Sequence, residues 1–359
     1  MAKFEGVSWA PHQLQYFLED AQLNMLGFDA KSYSISRSIH YGIFLVFEGI
    51  RFYCSKIDGA LNLRFLNLES NLTRFHRGMA YCLSPEHQSS LPSTDTLRHI
   101  LINEFLGSEK LRPFLEEMAA IGAQGYLRPY TIDEDLSIGV TFPSKPAIRV
   151  AACRYERYLG EPFDGVVIQN LVRAVSVNKT GSLKLGTNYL ISVKAVELAQ
   201  QLVPTAHAAL FLDDRPDKPI EERYVTEWDS SCALFVLNNG TIVKIPEGPL
   251  ILPSVTIQGM ISLASREGFR VEERPVQYKE LIKWVQEESL VAICSIGTAG
   301  ILNRCTRLFL PVGDEMIIHQ AQQEHEGYLK LAELKRRYWD LFRNIERPHP
   351  NLKTTDVQV

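Results

Sequence analysis

The sequence has six cysteines, none of them in a CxxC pair; Cys54, Cys82, Cys153, Cys232, Cys294 and Cys305 lie scattered through apolar segments. That spacing argues against both a disulfide framework and a zinc site, and predicts reduced core residues. A basic surplus is also missing. The formal charge of -4 offers nothing to draw the chain to nucleic acid or anionic lipid, so small molecules or a second copy of the chain are the expected partners. No run approaches the ~20 apolar residues of a membrane helix, and the opening MAKFEGVSWAPHQLQYF has no signal-peptide core, so a cytoplasmic protein is expected. Internal repeats are absent, and low complexity is confined to a polar tail after Pro350.

What is present is enough for a large buried core: 359 residues with 45% hydrophobic side chains, long enough for two domains. The first half reads as one α+β unit. Within it, Ile43 to Cys54 suits a buried strand or helix start. Ser93 to Leu106 follows helical spacing through Leu97, Ile100, Leu101 and Phe105, with Ser93, Thr94 or Asp95 as cap. Between Val150 and Phe163 the character changes, with Arg154, Glu156, Arg157, Gly160, Glu161 and Pro162 crowded together as a connecting segment. The predicted division is a small domain over 1–152, a connection over 153–165 and a large domain over 166–359.

In that second part, strand signals alternate with helices. Asn188 to Leu202 is amphipathic, and Ala208 to Leu212 reads as a buried strand. Asn238-Asn239-Gly240 marks a hairpin between Cys232–Leu237 and Thr241–Ile245. Helices are predicted over Thr256–Glu267 and Tyr278–Glu288, and a strand over Val291–Ser295 before the small-residue turn Gly297-Thr298-Ala299-Gly300. A last helix carries Leu331, Leu334, Tyr338, Leu341 and Ile345 at spacings of three and four, the pattern of packing onto the body of a domain.

Five stretches carry a chemical signal: His40-Tyr41-Gly42 leading to Phe47-Glu48-Gly49-Ile50-Arg51; Tyr126-Leu127-Arg128-Pro129; Lys184-Leu185-Gly186-Thr187-Asn188-Tyr189; Leu252-Pro253-Ser254-Val255-Thr256; and Gly297-Thr298-Ala299. Each alone is weak. In this order and at these separations they resemble the class IV aminotransferases of pyridoxal-phosphate fold type IV, most closely the branched-chain subgroup. The resemblance implies a two-domain α+β fold of the D-amino-acid/branched-chain aminotransferase kind with the cofactor, pyridoxal 5'-phosphate, at the domain interface. It also implies a homodimer with its active sites near the dimer interface.

Such a cofactor needs an amine, an anion for its pyridine nitrogen, donors for its phosphate and a partner for its phenolate oxygen. By resemblance Lys184 is the Schiff-base lysine, and a lysine attacks an aldehyde at neutral pH only after desolvation or a nearby cation has favoured its free amine. Lys179 and Lys194 lack the motif and serve as internal controls. Tyr189 is implied as the phenolate partner and Glu227 as the pyridine partner. The segment Glu227-Trp228-Asp229-Ser230-Ser231-Cys232-Ala233-Leu234-Phe235 is one residue longer than the family pattern and has Ala233 for asparagine. Either a bulge absorbs the extra residue or Asp229 takes the role.

For the phosphate, the resemblance implies Val255 and Thr256 at a helix start, a natural anion site, with Arg74 and Thr298. The family has glycine where Ser254 stands and arginine where Ile257 stands. Around the substrate the implied residues are Tyr41, Phe47, Tyr126, Arg128 and Tyr155, with the backbone of Thr298 and Ala299 for its α-carboxylate. Arg128 suits the distal carboxylate of glutamate and equally a structural ion pair. Arg154-Tyr155-Glu156-Arg157-Tyr158 departs from the family's Pro-Trp-Gly-Ala-Tyr and brings charge toward the pocket mouth. The implied activity is ping-pong transamination between an apolar L-amino acid and a 2-keto acid such as 2-oxoglutarate. The alternative is a lyase or atypical transaminase on the same scaffold, since fold does not fix chemistry.

Overall fold

The computed structural model describes residues 4–159, 163–344 and 352–359. These form two compact units. Of the expected features, Gly160, Glu161, Pro162, Ile345 and the start of the tail at Pro350 lie outside the described residues.

The first unit is built on an eight-stranded sheet. Its main path runs Thr354–Gln358, Ala60–Leu66, Ile50–Ile57, Gln124–Asp133, Pro146–Arg154, His12–Phe17, Leu23–Gly27, every neighbouring pair antiparallel. One face of this sheet is covered by the helices Leu68–Cys82 and Arg112–Ile121. The core gathers Phe52, Phe65, Leu72, Phe75, Phe105, Leu115 and Met118, all buried. Ser93 does cap a helix, its hydroxyl accepting from Thr96 N, but only Thr94–Arg98 is α-helical. His99–Leu106 continues in a π-helical register that ends on Gly107 N to Ile102 O, 2.7 Å. Ile43 to Gly49 is neither strand nor helix; the strand begins at Ile50. Phe44, at φ 57°, turns the chain there.

Two peptides join this unit from far along the chain. Leu183–Thr187 does so through Phe47 N to Lys184 O at 3.0 Å and Gly186 N to Leu45 O at 2.7 Å. The polar tail is a strand, Thr354–Gln358, because Arg64 forks onto the Asp356 carboxylate at 2.8 and 2.7 Å and Leu352 is buried beside it. The large domain drawn from the sequence over 166–359 included both peptides. Val150 to Arg154, counted as connection, completes the strand Pro146–Arg154.

In the second unit a nine-stranded mixed sheet runs Val225–Trp228, Ala206–Leu212, Phe163–Ile168, Ile301–Val312, Leu290–Gly297, Cys232–Leu237, Thr241–Lys244, Arg270–Glu273, with Glu315–Gln320 paired to Ile301–Val312. Val225–Trp228 also pairs with Cys232–Leu237, so six of these strands close on themselves. Closure removes most exposed edges and makes an interior for large side chains. Trp228 is buried there, its indole donating to Cys294 O at 3.1 Å and its ring so near Gly165 that a Cβ would lie 2.5 Å away. Helix Tyr189–Leu202 lays Ala195 and Ala199 on the sheet, and Glu326–Phe342 buries the expected Leu331, Leu334, Tyr338 and Leu341. All six cysteines are free, five of them buried.

Candidate active site

The expected site residues fall into two constellations, one in each unit. In the first, the extended segment Val46–Glu48 lies between Leu185 and the strand Gln124–Asp133: Phe47 N donates to Lys184 O, Glu48 N to Pro129 O at 2.9 Å and Thr131 N to Val46 O at 2.8 Å. Alternation along the segment separates Phe47 from Glu48. The Phe47 ring has Lys184 Nζ 5.0 Å from its centroid and the Arg128 guanidinium 4.6 Å from it. Arg128 also lies 5.1 Å from the Tyr126 ring and donates to the Tyr126 hydroxyl at 3.0 Å. Tyr126 meets Tyr155 edge-on at 6.0 Å, and Arg51 lies over Tyr155 at 5.6 Å. Gly49 makes room for Tyr126, whose hydroxyl would lie 2.0 Å from a Cβ there.

Phe47, Tyr126, Arg128, Tyr155 and Lys184 therefore share one chain of ring and cation contacts. Tyr41, exposed at the end of helix Arg37–Tyr41, has its ring beside His40 and lies outside that chain. Arg128 forms no ion pair among the described residues. Arg154 does, with Glu117 at 2.6 Å.

Glu48 points into the protein and is fully buried. Its carboxylate accepts Nε of Arg74 at 2.7 Å, Nη2 of Arg74 at 2.5 Å and the Gly49 N–H at 2.7 Å. Burial pushes its pKa up, but the charge and hydrogen bonds of Arg74, the charge of Lys184 and the Gly49 N–H together hold it below the ordinary carboxylate value. Arg74, expected as a phosphate ligand, thus has part of its fork on Glu48.

In the second unit the organising residue is one that sequence reasoning passed over. Arg173, buried, pairs with Glu227 at 2.7 Å and lies 5.8 Å from the Tyr189 ring. Desolvation works against its charge, but Glu227, then Tyr189 and Cys232, outweigh it and keep its pKa above the ordinary value. A lone arginine in Asn170-Leu171-Val172-Arg173-Ala174-Val175, flanked by apolar residues, was the available signal. Glu227 and Asp229 are equally buried but differ in company. The Glu227 carboxylate faces Arg173 and is 3.4 Å from Leu252 N, whereas Asp229 Oδ1 accepts from Ala209 N at 3.2 Å. Glu227 pairs directly with Cys232, so the longer segment is taken up in the reversal over Trp228–Ser231.

Helix Val255–Arg266 starts at Ser254, whose hydroxyl caps Ile257 N at 3.2 Å. First-turn geometry then leaves the Val255 and Thr256 N–H groups without intrahelical partners. Thr298 and Ala299 lie in the three-residue link between Leu290–Gly297 and Ile301–Val312. Lys179 and Lys194 are exposed, Lys194 paired with Glu197.

The family described as amino-transferase class IV matches residues 45–293. A probable branched-chain-amino-acid aminotransferase of Staphylococcus aureus is 26% identical over 272 residues, 75% of this chain and 69% of that one. The fold is similar to that of the Escherichia coli branched-chain amino acid aminotransferase, with TM-score 0.68, 20% identity and 98% and 99% of the two chains covered. It is also similar to the branched-chain aminotransferase of the thermophilic archaeon Thermoproteus uzoniensis with norvaline, with TM-score 0.69, 19% identity and 96% and 99% of the two chains covered. With its motifs in order, its two units each carrying part of the expected constellation and more than half its length matched, this chain belongs to the class IV aminotransferases, the pyridoxal-phosphate transaminases of fold type IV.

Proposed function

We propose that the protein moves an amino group between an apolar L-amino acid and a dicarboxylic 2-keto acid such as 2-oxoglutarate, by a ping-pong sequence. The observation that carries this reading is Arg128, a cation resting on the aromatic faces of Phe47 and Tyr126 with no carboxylate paired to it among the described residues. Phe47, Tyr126 and Tyr155 suit an apolar side chain, and Arg128 suits the distal carboxylate of an acidic one, the dual acceptance that the two half-reactions require.

The residues of the second unit fit pyridoxal phosphate. The two first-turn N–H groups of Val255 and Thr256 match a phosphate dianion, and the buried Glu227 carboxylate matches a pyridine N–H. When bound, the cofactor supplies the carbonyl that takes up the amino group and a ring that draws electrons from the α carbon. Lys184 would offer its amine and then take the proton from substrate Cα through Nζ. Tyr189 would hold the phenolate oxygen, Arg173 would hold the Glu227 carboxylate in place, and Arg74 and Thr298 would add phosphate donors. Backbone groups of Thr298 and Ala299 would orient the α-carboxylate, and Tyr41 would border the substrate. We further infer a cytoplasmic homodimer. Leu136, Ile138, Val140 and Phe142 support the dimer, alternate apolar positions of which Ile138 and Val140 are 78% and 79% exposed.

A panel of amino donors against 2-oxoglutarate and pyruvate tests the reaction, with borohydride trapping to identify the lysine. Arg128→Met is expected to lower kcat/KM for glutamate about tenfold to a hundredfold, the worth of a charge-assisted hydrogen bond of roughly 1.5–3 kcal/mol, while sparing apolar donors. Equal losses with both donor classes would make Arg128 structural. Trapping at Lys179 or Lys194 would overturn the lysine.

A further inference from the structure

We propose that Asn303 is a further substrate-binding residue of this site: its Nδ2 donates to the α-carboxylate held at the turn Gly297-Thr298-Ala299-Gly300, and Lys335 fixes which way that amide faces. The proposal rests on the reading that this turn receives the carboxylate, and it adds a side-chain donor to the backbone groups of Thr298 and Ala299.

Four observations carry it. Asn303, 2% exposed, is the third residue of strand Ile301–Val312, and its Oδ1 accepts from Lys335 Nζ at 3.1 Å on helix Glu326–Phe342. An ammonium group can only donate, so this bond leaves the amide one orientation, with Nδ2 turned the other way. Nδ2 is buried and has no hydrogen-bond acceptor among the described residues. That donor lies against the turn: a Cβ on Gly300 would collide with Asn303 Nδ2 and lie 3.1 Å from the Tyr158 ring, so the glycine leaves room for both. Other polar atoms beside it are already matched. Ser295, directly across from Asn303 and so on the same face of the sheet, shares a hydrogen bond of 2.6 Å with Ser231, and the Tyr158 hydroxyl is 3.1 Å from that of Ser230. The turn itself is held under strain: Ile301, buried and β-branched, closes it at φ 60°, a conformation such a residue keeps only where its surroundings dictate it. A buried N–H without an acceptor is costly, and an anionic oxygen is the acceptor that offsets that cost most strongly.

The test is the binding of two probes to the cofactor-loaded protein, 4-methylpentanoate and its neutral amide, 4-methylpentanamide, measured by titration calorimetry. The parent is expected to prefer the carboxylate. Asn303→Asp keeps the shape and the acceptor for Lys335 but turns an oxygen toward the turn, and Asn303→Leu removes the donor without adding charge. Both should weaken 4-methylpentanoate about tenfold or more and the amide far less. Lys335→Met, which frees the amide to turn over, should show the same selectivity in smaller measure, and Lys335→Arg should restore it; an unchanged Lys335→Met overturns the orienting role. Equal losses for the two probes, as a purely structural amide would give, or no loss in Asn303→Asp and Asn303→Leu, overturn the proposal. Should Asn303→Leu fail to fold, Asn303→Asp decides by the same criterion. A parent without preference for the carboxylate overturns the carboxylate turn and this proposal together. The donor panel and borohydride trapping report separately on transamination and on Lys184, so failure of those readings and failure of this one give different results.

Discussion

Replacing Glu227 by glutamine changes one atom and tests the reasoning about the second unit. Arg173 and Glu227 are each 4% exposed at their side chains and 2.7 Å apart. Removing one partner of a buried pair costs roughly 3–5 kcal/mol because the remaining charge is left uncompensated. The glutamine oxygen still accepts from Arg173, so the expected loss is near the lower end, about 3 kcal/mol. For a domain of roughly 150–250 residues, each kcal/mol lowers Tm by about 2–4 °C, giving a fall of roughly 6–12 °C. Asp229→Asn keeps an acceptor for Ala209 N and should cost no more than about 1 kcal/mol. Calorimetry of the cofactor-free variants measures both. Single-turnover kinetics with an amino donor should show proton removal slowed far more in Glu227→Gln than in Asp229→Asn, with phosphate anchoring little affected. If Asp229→Asn does equal or greater damage in both assays, the pyridine partner is Asp229.

Two further outcomes follow from features outside that pair. Burial pushes the His319 pKa down to about 4, so the folded state keeps it neutral while an unfolded chain protonates it near pH ~6.5. Its contribution is complete above that pH and is lost as pH falls toward the folded value; urea unfolding of the parent against His319→Gln should show about 2 kcal/mol of the parent's decline between pH 7 and pH 5 missing from the variant. For the proposed dimer, Ile138→Asp together with Val140→Asp should shift sedimentation to a monomer while leaving far-UV circular dichroism unchanged; a parent that is already monomeric would refute the assembly.

Much of the architecture could be read before any coordinates, and the exceptions have physical reasons. Helix Tyr189–Leu202 and the hairpin of Cys232–Leu237 with Thr241–Lys244 announce themselves through local periodicity and an Asn-Gly turn. The strand Thr354–Gln358 does not, because it lies at a sheet edge with little apolar alternation and owes its place to the distant Arg64. The π-register of His99–Leu106 is equally silent, since a shift of one residue in hydrogen bonding leaves the apolar spacing almost unchanged. Within the site, the residues of the five motifs were visible, and Phe47, Tyr126, Arg128, Tyr155 and Lys184 do meet. Arg173 and the pair of Glu48 with Arg74 were not, because a buried arginine and a surface one look alike until their partners, brought in from other strands and helices, are known.

The placement of Leu183–Thr187 constrains anyone recombining this enzyme with a relative. A crossover in the connecting segment divides the chain between two parents at what looks like a natural seam. It would nevertheless take the lysine peptide from one parent and the Leu45–Phe47 segment that braces it from the other. Chimeras that exchange 45–48 and 183–187 together should keep the lysine seated, and those that split them inherit a mismatched backbone at the residue proposed to hold the cofactor.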